Sequence, residues 1–562
     1  MIPCQGILRG DFQGVIVDFP DIFFNICHCK TVHNMIGNSH LSCQTQSPYP
    51  YIRDRKPVTM NRSYENLDAI FHPRSVALVG ITTANPEHWT RGFLEGYLHL
   101  DFPSQGKLYL VNPKGGTVEG CRVYQSIQDI PDTLDFVVGL VPARSAPQLI
   151  EDAAAKGVRC IHFCTAGFSE IDEEEGKRLE SELLRAARRH NVRLIGPNCL
   201  GVYCPEGRMS FSKLFPRESG PVGFISQSGG NSNYLVRQAA LRGVRFSKVI
   251  SIGNASDLNE SDFLEYLADD PKTEIITMYL EGIKDGVRFH QALKYAAEKK
   301  PVVLLKGGAT PAGARAVMGH TASLAGSHTI WESLCRQLGV IQVQNLDEMT
   351  DVLVTLAFLP APDGRRALLF GGGGGSSIII ADEFEKRGVI LPQVPQQVIK
   401  ELREFSQAAG NFFNNPIDYS QSMGPSNVKR ALEILMRWGQ FDFIVNFVVP
   451  TQSTRARDWP IFPVTYDRSI KPVAIVILTS ILPAEASKIY EYIKHYADDG
   501  YPLYFSFASA ANAITLALTY YERHSLRQKR QIETTAAAAS GMTGSSVPID
   551  AAADGNPCSL SK

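Results

Sequence analysis

Three times along this 562-residue chain a short apolar run ends in a small-residue loop that opens a helical stretch. That pattern leaves few folds open. The runs are Val76-Ala77-Leu78-Val79-Gly80, then Val222-Gly223-Phe224-Ile225 leading into Ser226-Gln-Ser-Gly-Gly230, then Ala367-Leu368-Leu369-Phe370 leading into Gly371–Gly375. Behind the first come Lys107–Val111, Phe136–Val141 and Val158–Phe163, with helical spacing from Ala146 to Lys156 between the last two. Strands that are apolar on both faces need cover on both faces. The fold class is therefore α/β, with parallel sheets between layers of helix. The second and third starts also share a return, Arg242-Gly243-Val244 and Arg387-Gly388-Val389. That similarity reads as a diverged internal duplication joined by the Pro360–Gly364 linker.

The pattern divides the chain into three α/β units, 63–205, 206–360 and 361–525. Residues 1–62 show neither period and are expected to be poorly ordered, with Met60 a candidate true start. From 526 to 562 the chain is rich in Ala, Ser, Thr and Gly and is expected to be disordered. A formal net charge of −1 offers no field for nucleic acid. No apolar run reaches the roughly 20 residues that cross a bilayer. Eleven cysteines, an odd number scattered through apolar segments, fit a reducing cytoplasm better than a disulfide scaffold. Cys4, Cys27, Cys29 and Cys43 crowd near His28, His33 and His40 but lack paired spacing, so no metal site is expected.

The chemistry concentrates in four places. His320 lies among small residues, Gly319 to Gly326, after the strand-like Pro301–Lys306 and a Gly/Ala-rich stretch, Gly307 to Ala316, read as a loop. An imidazole so presented can act as a nucleophile toward phosphorus. Small-residue loops feeding helix N-termini offer free N–H groups and the positive end of a helix dipole. Ser226, Ser228 and Gly229 in one unit and Gly373, Gly374 and Gly375 in the other are the candidate phosphate cradle. Glu281 closes the run Ile275–Leu280, where a carboxylate could fix the imidazole tautomer. The loop after Gly80 does not match Gly-x-Gly-x-x-Gly, which argues against a nicotinamide dehydrogenase. Lys114, just past the second strand, stands where it could meet a ribose phosphate.

These pieces, in this order, resemble the NDP-forming acyl-CoA synthetases, relatives of the succinyl-CoA synthetase alpha subunit. The motifs that carry the resemblance run from Phe71-His-Pro-Arg-Ser-Val-Ala-Leu-Val-Gly80 and Val111-Asn-Pro-Lys114 through Thr165-Ala-Gly-Phe168 and Gly196-Pro-Asn-Cys-Leu-Gly201. Ser226-Gln-Ser-Gly229, Ser251-Ile-Gly-Asn254 with Asp257, Asp269–Thr273, Glu281, the His320 stretch and Asn415-Pro-Ile-Asp418 complete them. The resemblance implies a CoA-binding Rossmann-like domain followed by two flavodoxin-like, succinyl-CoA-ligase-type domains. It implies that His320 is phosphorylated in turnover and that Glu281 orients it. Gly80, Ile81, Thr82, Lys114, Thr165, Ala166 and Gly167 would contact coenzyme A, with Pro197 and Asn198 near its thiol end. The reaction would interconvert acyl-CoA, phosphate and ADP with a small carboxylic acid, CoA and ATP. ADP/ATP and Mg2+ would sit on an ATP-grasp beta-type partner subunit in a hetero-oligomer, since nothing after residue 525 reads as an ATP-grasp domain. Ala322 and the unbroken Gly371–Gly375 run depart from the family pattern. The missing ATP-grasp domain and the glycine run keep a second reading open, a CoA-binding regulatory or scaffold protein of the same fold.

Overall fold

The computed structural model describes residues 67–171, 173–321, 327–406, 412–418, 425–448, 471–478 and 486–541. The chain divides into Met1–Asn61 and Arg62–Lys562, and all described residues belong to the second unit. The expectations for 1–62, including Met60 and the Cys/His cluster, lie outside the described residues, as does the whole stretch from Ala322 to Gly326.

Three sheets follow one another along the chain. The first holds β1 (Ser75–Val79), β2 (Lys107–Val111), β3 (Gly116–Val118), β4 (Cys121–Tyr124), β5 (Phe136–Gly139), β6 (Cys160–Phe163) and β7 (Arg193–Ile195), in the order β3-β4-β2-β1-β5-β6-β7. All neighbours are parallel except β3 with β4. β1 pairs with β2 on one side and β5 on the other, so the winding reverses there and a crevice opens beyond Val79.

The second sheet holds β8 (Gly201–Tyr203), β9 (Val222–Ser226), β10 (Phe246–Ser251), β11 (Ile275–Leu280), β12 (Val302–Lys306) and β13 (Ile341–Val343), ordered β13-β12-β11-β9-β10-β8. The third holds β14 (Ala367–Gly371), β15 (Phe412–Phe413), β16 (Ile417–Asp418), β17 (Phe443–Val448), β18 (Val473–Ile477) and β19 (Leu503–Tyr504), ordered β15-β16-β14-β17-β18-β19. Leaving aside one antiparallel edge strand in each, β8 or β15, both sheets run 2-1-3-4-5 in chain order. The shared order supports the internal duplication read from the two returns. Their reversal points lie at Ser226 and Gly371.

Three details differ from expectation. β8 pairs with β10, so Gly201–Tyr203 belongs to the second sheet although the first unit was expected to run to 205. The stretch read as a loop from Gly307 to Ala316 is helical from Pro311 to Thr321. Thr310 accepts at its hydroxyl from Gly313 N–H (3.1 Å), and proline occupies the first helical position, where its missing N–H costs nothing. Of the tail expected to lack order, 526–562, residues 542–562 lie outside the described residues, and the part to Gly541 instead continues the helix Phe507–Gly541. Its Ala536–Ala539 run has the highest helix propensity, and extending a packed helix avoids the cost of nucleation. Arg527 on that helix donates to the carbonyls of Leu338 (2.7 Å) and Gln337 (2.8 Å), which end the helix His328–Leu338. Among the described residues no helix is long and apolar enough to cross a membrane.

The second and third sheets are held together by a buried polar joint. Arg242 donates to Asp351 (2.6 Å) and to the carbonyl of Leu503, and the hydroxyls of Thr355 and Tyr504 meet at 2.7 Å.

Candidate functional site at the carboxyl ends of the sheets

In a parallel sheet the carboxyl ends of the strands carry the loops that face a ligand. On the first sheet that edge gathers the residues expected around coenzyme A. Gly80 has φ +100°, and a Cβ there would meet the carbonyl oxygen of Leu140 at 2.5 Å, so only glycine lets the loop turn against the end of β5. Ile81 is wholly buried, so its side chain anchors the loop and leaves only backbone to a ligand. The Ile81 carbonyl accepts from Asn112 Nδ2 (2.9 Å), while Asn112 Oδ1 accepts from Lys114 N (2.9 Å). Lys114 is thereby held at the rim, exposed. Thr82 N donates to Thr90 Oγ1 (3.3 Å).

Beyond β6, the Thr165 hydroxyl donates to the carbonyl of Val141 (2.5 Å), Ala166 is exposed, and Gly167 adopts φ +102°. Beyond β7, Gly196-Pro197 is a cis peptide and Asn198 has φ +58°. Asn198 N donates to the carbonyl of Thr165 (2.9 Å), binding the two loops to each other. Within this edge His162 on β6 is buried and donates its Nε2–H to the Cys199 carbonyl at 3.0 Å. Burial pushes its pKa down to about 4, so it is a neutral core histidine and not a ligand group.

The second sheet presses its own carboxyl edge against these loops. A Cβ on Gly253 would meet the carbonyl oxygens of Pro197 and Asn198 at 2.3 Å, and one on Gly229 would meet Leu200 Cγ at 2.7 Å. Leu200 N donates to Ser251 Oγ (3.1 Å). Small residues here serve close approach of two domains as much as ligand access.

At the reversal point of this sheet the helix Gly229–Leu241 begins. Ser228 is its N-cap, accepting at its hydroxyl from Asn231 N (3.3 Å). Ser226 is fully buried. Its hydroxyl donates to the Ser228 carbonyl (2.8 Å) and accepts from Ser228 N (3.2 Å). Ser226 therefore shapes the loop of the expected cradle, its hydroxyl committed to the Ser228 backbone. Gln227, between them, is buried. Its Oε1 accepts from Glu281 N (2.5 Å) and Gly282 N (3.1 Å), and its Nε2 donates to the Gly282 carbonyl (2.7 Å).

Glu281 follows β11 and is 4% exposed, so it is no solvated strand-end carboxylate. Tyr279 donates its hydroxyl to Glu281 Oε1 (3.1 Å), and burial with the nearby Glu281 charge pushes the phenol pKa up. Lys306, at the end of β12, donates to the Glu281 carbonyl (2.7 Å). Burial draws Lys306 down to about 8, partly opposed by the Glu281 charge. A groove of about 460 Å³ opens beside this group, lined by Tyr234, Tyr279, Lys306 and Asp347 among others.

His320 sits in the last turn of the helix Pro311–Thr321, not on a loop. The helix passes within 8 Å, Cα to Cα, of the Ser169–Ile171 turn that follows Gly167. Its imidazole and the residues to Gly326 lie outside the described side chains, so the Glu281 to His320 pairing remains an expectation.

On the third sheet, Gly373 (φ +111°) caps the helix Gly374–Glu385, and Gly373 to Gly375 are exposed. The Gly373 N–H already donates to Asp418 Oδ1 (3.0 Å), which leaves Gly374 and Gly375 as the open part of that predicted cradle. Gln227, Lys306 and Asp418 were missed as working residues. Gln227 and Asp418 lay inside motifs already singled out, whereas nothing in the local pattern marks Lys306. Among the described residues no cluster of metal-ligating side chains is present.

Known proteins resemble this chain in both its first and its second sheet domain. The model of a CoA binding domain matches residues 74–205, and that of a succinyl-CoA ligase like flavodoxin domain matches residues 219–356. The alpha subunit of ADP-forming acetate–CoA ligase II from Pyrococcus furiosus is 34% identical over 431 residues, 76% of this chain and 93% of that subunit. ADP-forming acetate–CoA ligase I from Archaeoglobus fulgidus is 37% identical over 388 residues, 68% of this chain but 55% of that longer protein. The structure of Ca. Korarchaeum cryptofilum dinucleotide forming acetyl-coenzyme A synthetase 1, in complex with phosphate and ADP, is 28% identical with a TM-score of 0.71. That alignment covers 83% of this chain and 99% of the other. This chain belongs to the family of ADP-forming acetate–CoA ligase alpha subunits.

Proposed function

We propose that the chain is the coenzyme A-binding, phosphohistidine-carrying subunit of an ADP-forming acyl-CoA ligase. The observation that carries this reading is the meeting of two carboxyl edges. Loops 165–167 and 196–200 of the first sheet abut Ser251–Gly253 and Gly229 of the second, with buried Glu281 one strand away. A thioester held by the first edge then lies next to a helix N-terminus fit for an anion.

The steps follow from these positions. A phosphate oxygen attacks the thioester carbonyl, and CoA leaves as thiolate. The resulting acyl phosphate gives its phosphoryl group to a ring nitrogen of His320, and the carboxylate leaves. Phosphohistidine passes the group to a terminal phosphate oxygen of ADP. Glu281 holds the imidazole tautomer that leaves the attacking nitrogen unprotonated, and the Ser228–Gly229 helix tip steadies the phosphoryl charge. The acceptor nucleotide, with Mg2+, belongs on an ATP-grasp beta-type subunit, in keeping with relatives named alpha subunits. A cytoplasmic location fits the free thiols of Cys121, Cys160, Cys164, Cys199, Cys204 and Cys335.

One observation favours a second reading, a CoA-binding protein without turnover: Asp418 already occupies an N–H at the third sheet's helix tip. One experiment separates the two. Acetyl-CoA and radiolabelled phosphate should place acid-labile, alkali-stable phosphate on the wild-type chain and none on His320→Ala. Label persisting in the variant overturns the first reading, and CoA binding without label in the wild type supports the second.

A further inference from the structure

Several hydrogen bonds on the margin of the site run in one direction and converge on one amide. Asn254, in the loop after β10, is 5% exposed. Its Oδ1 accepts from Asn198 Nδ2 (3.3 Å), on the loop expected near the CoA thiol. Its Nδ2 donates to Glu170 Oε2 (2.6 Å) and Glu180 Oε2 (3.3 Å). The other Glu170 oxygen accepts from Gly167 N (2.5 Å) and Phe168 N (3.1 Å), and so folds the Thr165–Gly167 loop. Glu180 collects the hydroxyls of Ser169 (2.5 Å) and Ser256 (2.7 Å). On the far side, the Asn254 carbonyl accepts from Lys284 Nζ (2.9 Å), three residues past Glu281. The helix that bears His320 packs against Ser169–Ile171, the turn containing Glu170.

The polarity of this chain admits no alternative arrangement of Asn254. Rotating its amide by half a turn would point Nδ2 at another donor, Asn198 Nδ2, and Oδ1 at two carboxylates. Both CoA loops are thus referred to one buried side chain, the Glu281 segment to the same residue's backbone carbonyl, and the His320 helix to the turn that carries Glu170. Nothing in the reaction itself consumes these groups.

We propose that Asn254, acting through Glu170, is a positioning residue that couples occupancy of the coenzyme A loops to the placement of Glu281 and the His320 helix. A filled CoA site orders loops 165–167 and 196–198. The same hydrogen bonds then order the Asn254 loop, Lys284 and the Ser169–Ile171 turn. The inference rests on the functional reading above and adds a regulation to it: phosphoryl transfer is quickened when CoA is in place.

Desulfo-coenzyme A tests this, because it fills the CoA site but has no thiol to accept an acyl group. Labelling of His320 by acetyl phosphate should be accelerated about tenfold by desulfo-coenzyme A in the wild type, within the usual range for coupling between sites. Glu170→Gln keeps an acceptor for Gly167 N–H but turns a donor toward Asn254 Nδ2. Asn254→Ala removes the hub. Both should retain the rate without desulfo-coenzyme A and lose the acceleration. A role in packing alone would lower the melting temperature and leave the acceleration intact. Should Asn254→Ala not fold, the half-buried Glu170→Gln carries the test. Variants accelerated like the wild type, or a wild type that binds desulfo-coenzyme A without acceleration, overturn the inference. A wild type that takes no label from either acetyl phosphate or acetyl-CoA with phosphate removes the functional reading and this inference with it.

Discussion

The second and third sheets have the same strand order and begin their leading helices at the same topological point, yet the two helix tips are finished differently. At Gly229 the cap is the neutral hydroxyl of Ser228, and the neighbouring amide, Gln227, is spent on the Glu281 backbone. At Gly374 the cap is a glycine whose N–H is taken by the carboxylate of Asp418, itself 2% exposed. A helix dipole attracts anions at either tip, but the second already has a negative charge beside it. Duplication copied the scaffold, then, and not the electrostatics. On these charges the tip at Gly229 is expected to hold an anion more tightly than the tip at Gly374.

The joint between the two halves offers the largest test of that comparison. Arg242→Ala leaves the Asp351 carboxylate and the Leu503 carbonyl buried without their donor. Breaking one side of a buried pair costs about 3–5 kcal/mol. Denaturant unfolding should show that loss, and a change under 1 kcal/mol would mean that the halves barely depend on each other. A smaller effect tests the asymmetry itself. Asp418→Asn keeps an acceptor for Gly373 N–H while removing the charge, so phosphate affinity measured by calorimetry should rise about fivefold. An unchanged affinity would show that phosphate does not visit the third sheet's helix tip. The smallest is Ser228→Ala, which removes one capping bond and should cost about 1 kcal/mol of stability. Its phosphate affinity should hold within about twofold, because the dipole and backbone N–H groups stay.

Much of this architecture was legible because it rests on local pattern. Runs such as Val302–Lys306 are apolar throughout since both faces of their sheet are covered, and a fully apolar run of that length has little else to be. Loop glycines such as Gly80 were legible as turns for the same reason. The helix Pro311–Thr321 was misread because glycine and alanine in alternation resemble a loop, while the signals that decided the matter, Thr310 and Pro311, stood at its very start. The stretch from 526 to 541 was misread because its alanines were weighed as low complexity and not as helix formers attached to a helix already packed. Contacts across long separations left no trace in the pattern. Glu170 meets Asn254 eighty-four residues later, and the Lys306 pKa is drawn down to about 8 only because folding buries it. Ser226 could be placed in the loop from sequence but its hydrogen bonds could not, since a hydroxyl's partner is fixed by geometry that sequence does not carry.

The side chain of Gln227 behaves as one more peptide group, extending the ladder between β9 and β11 past the point where both strands stop. Glu281 therefore takes its bearing from the adjacent strand as well as its own. The helix tip and the carboxylate form a single rigid jaw, and a polypeptide leaning on the helix Gly229–Leu241 would swing both at once without altering the gap between them.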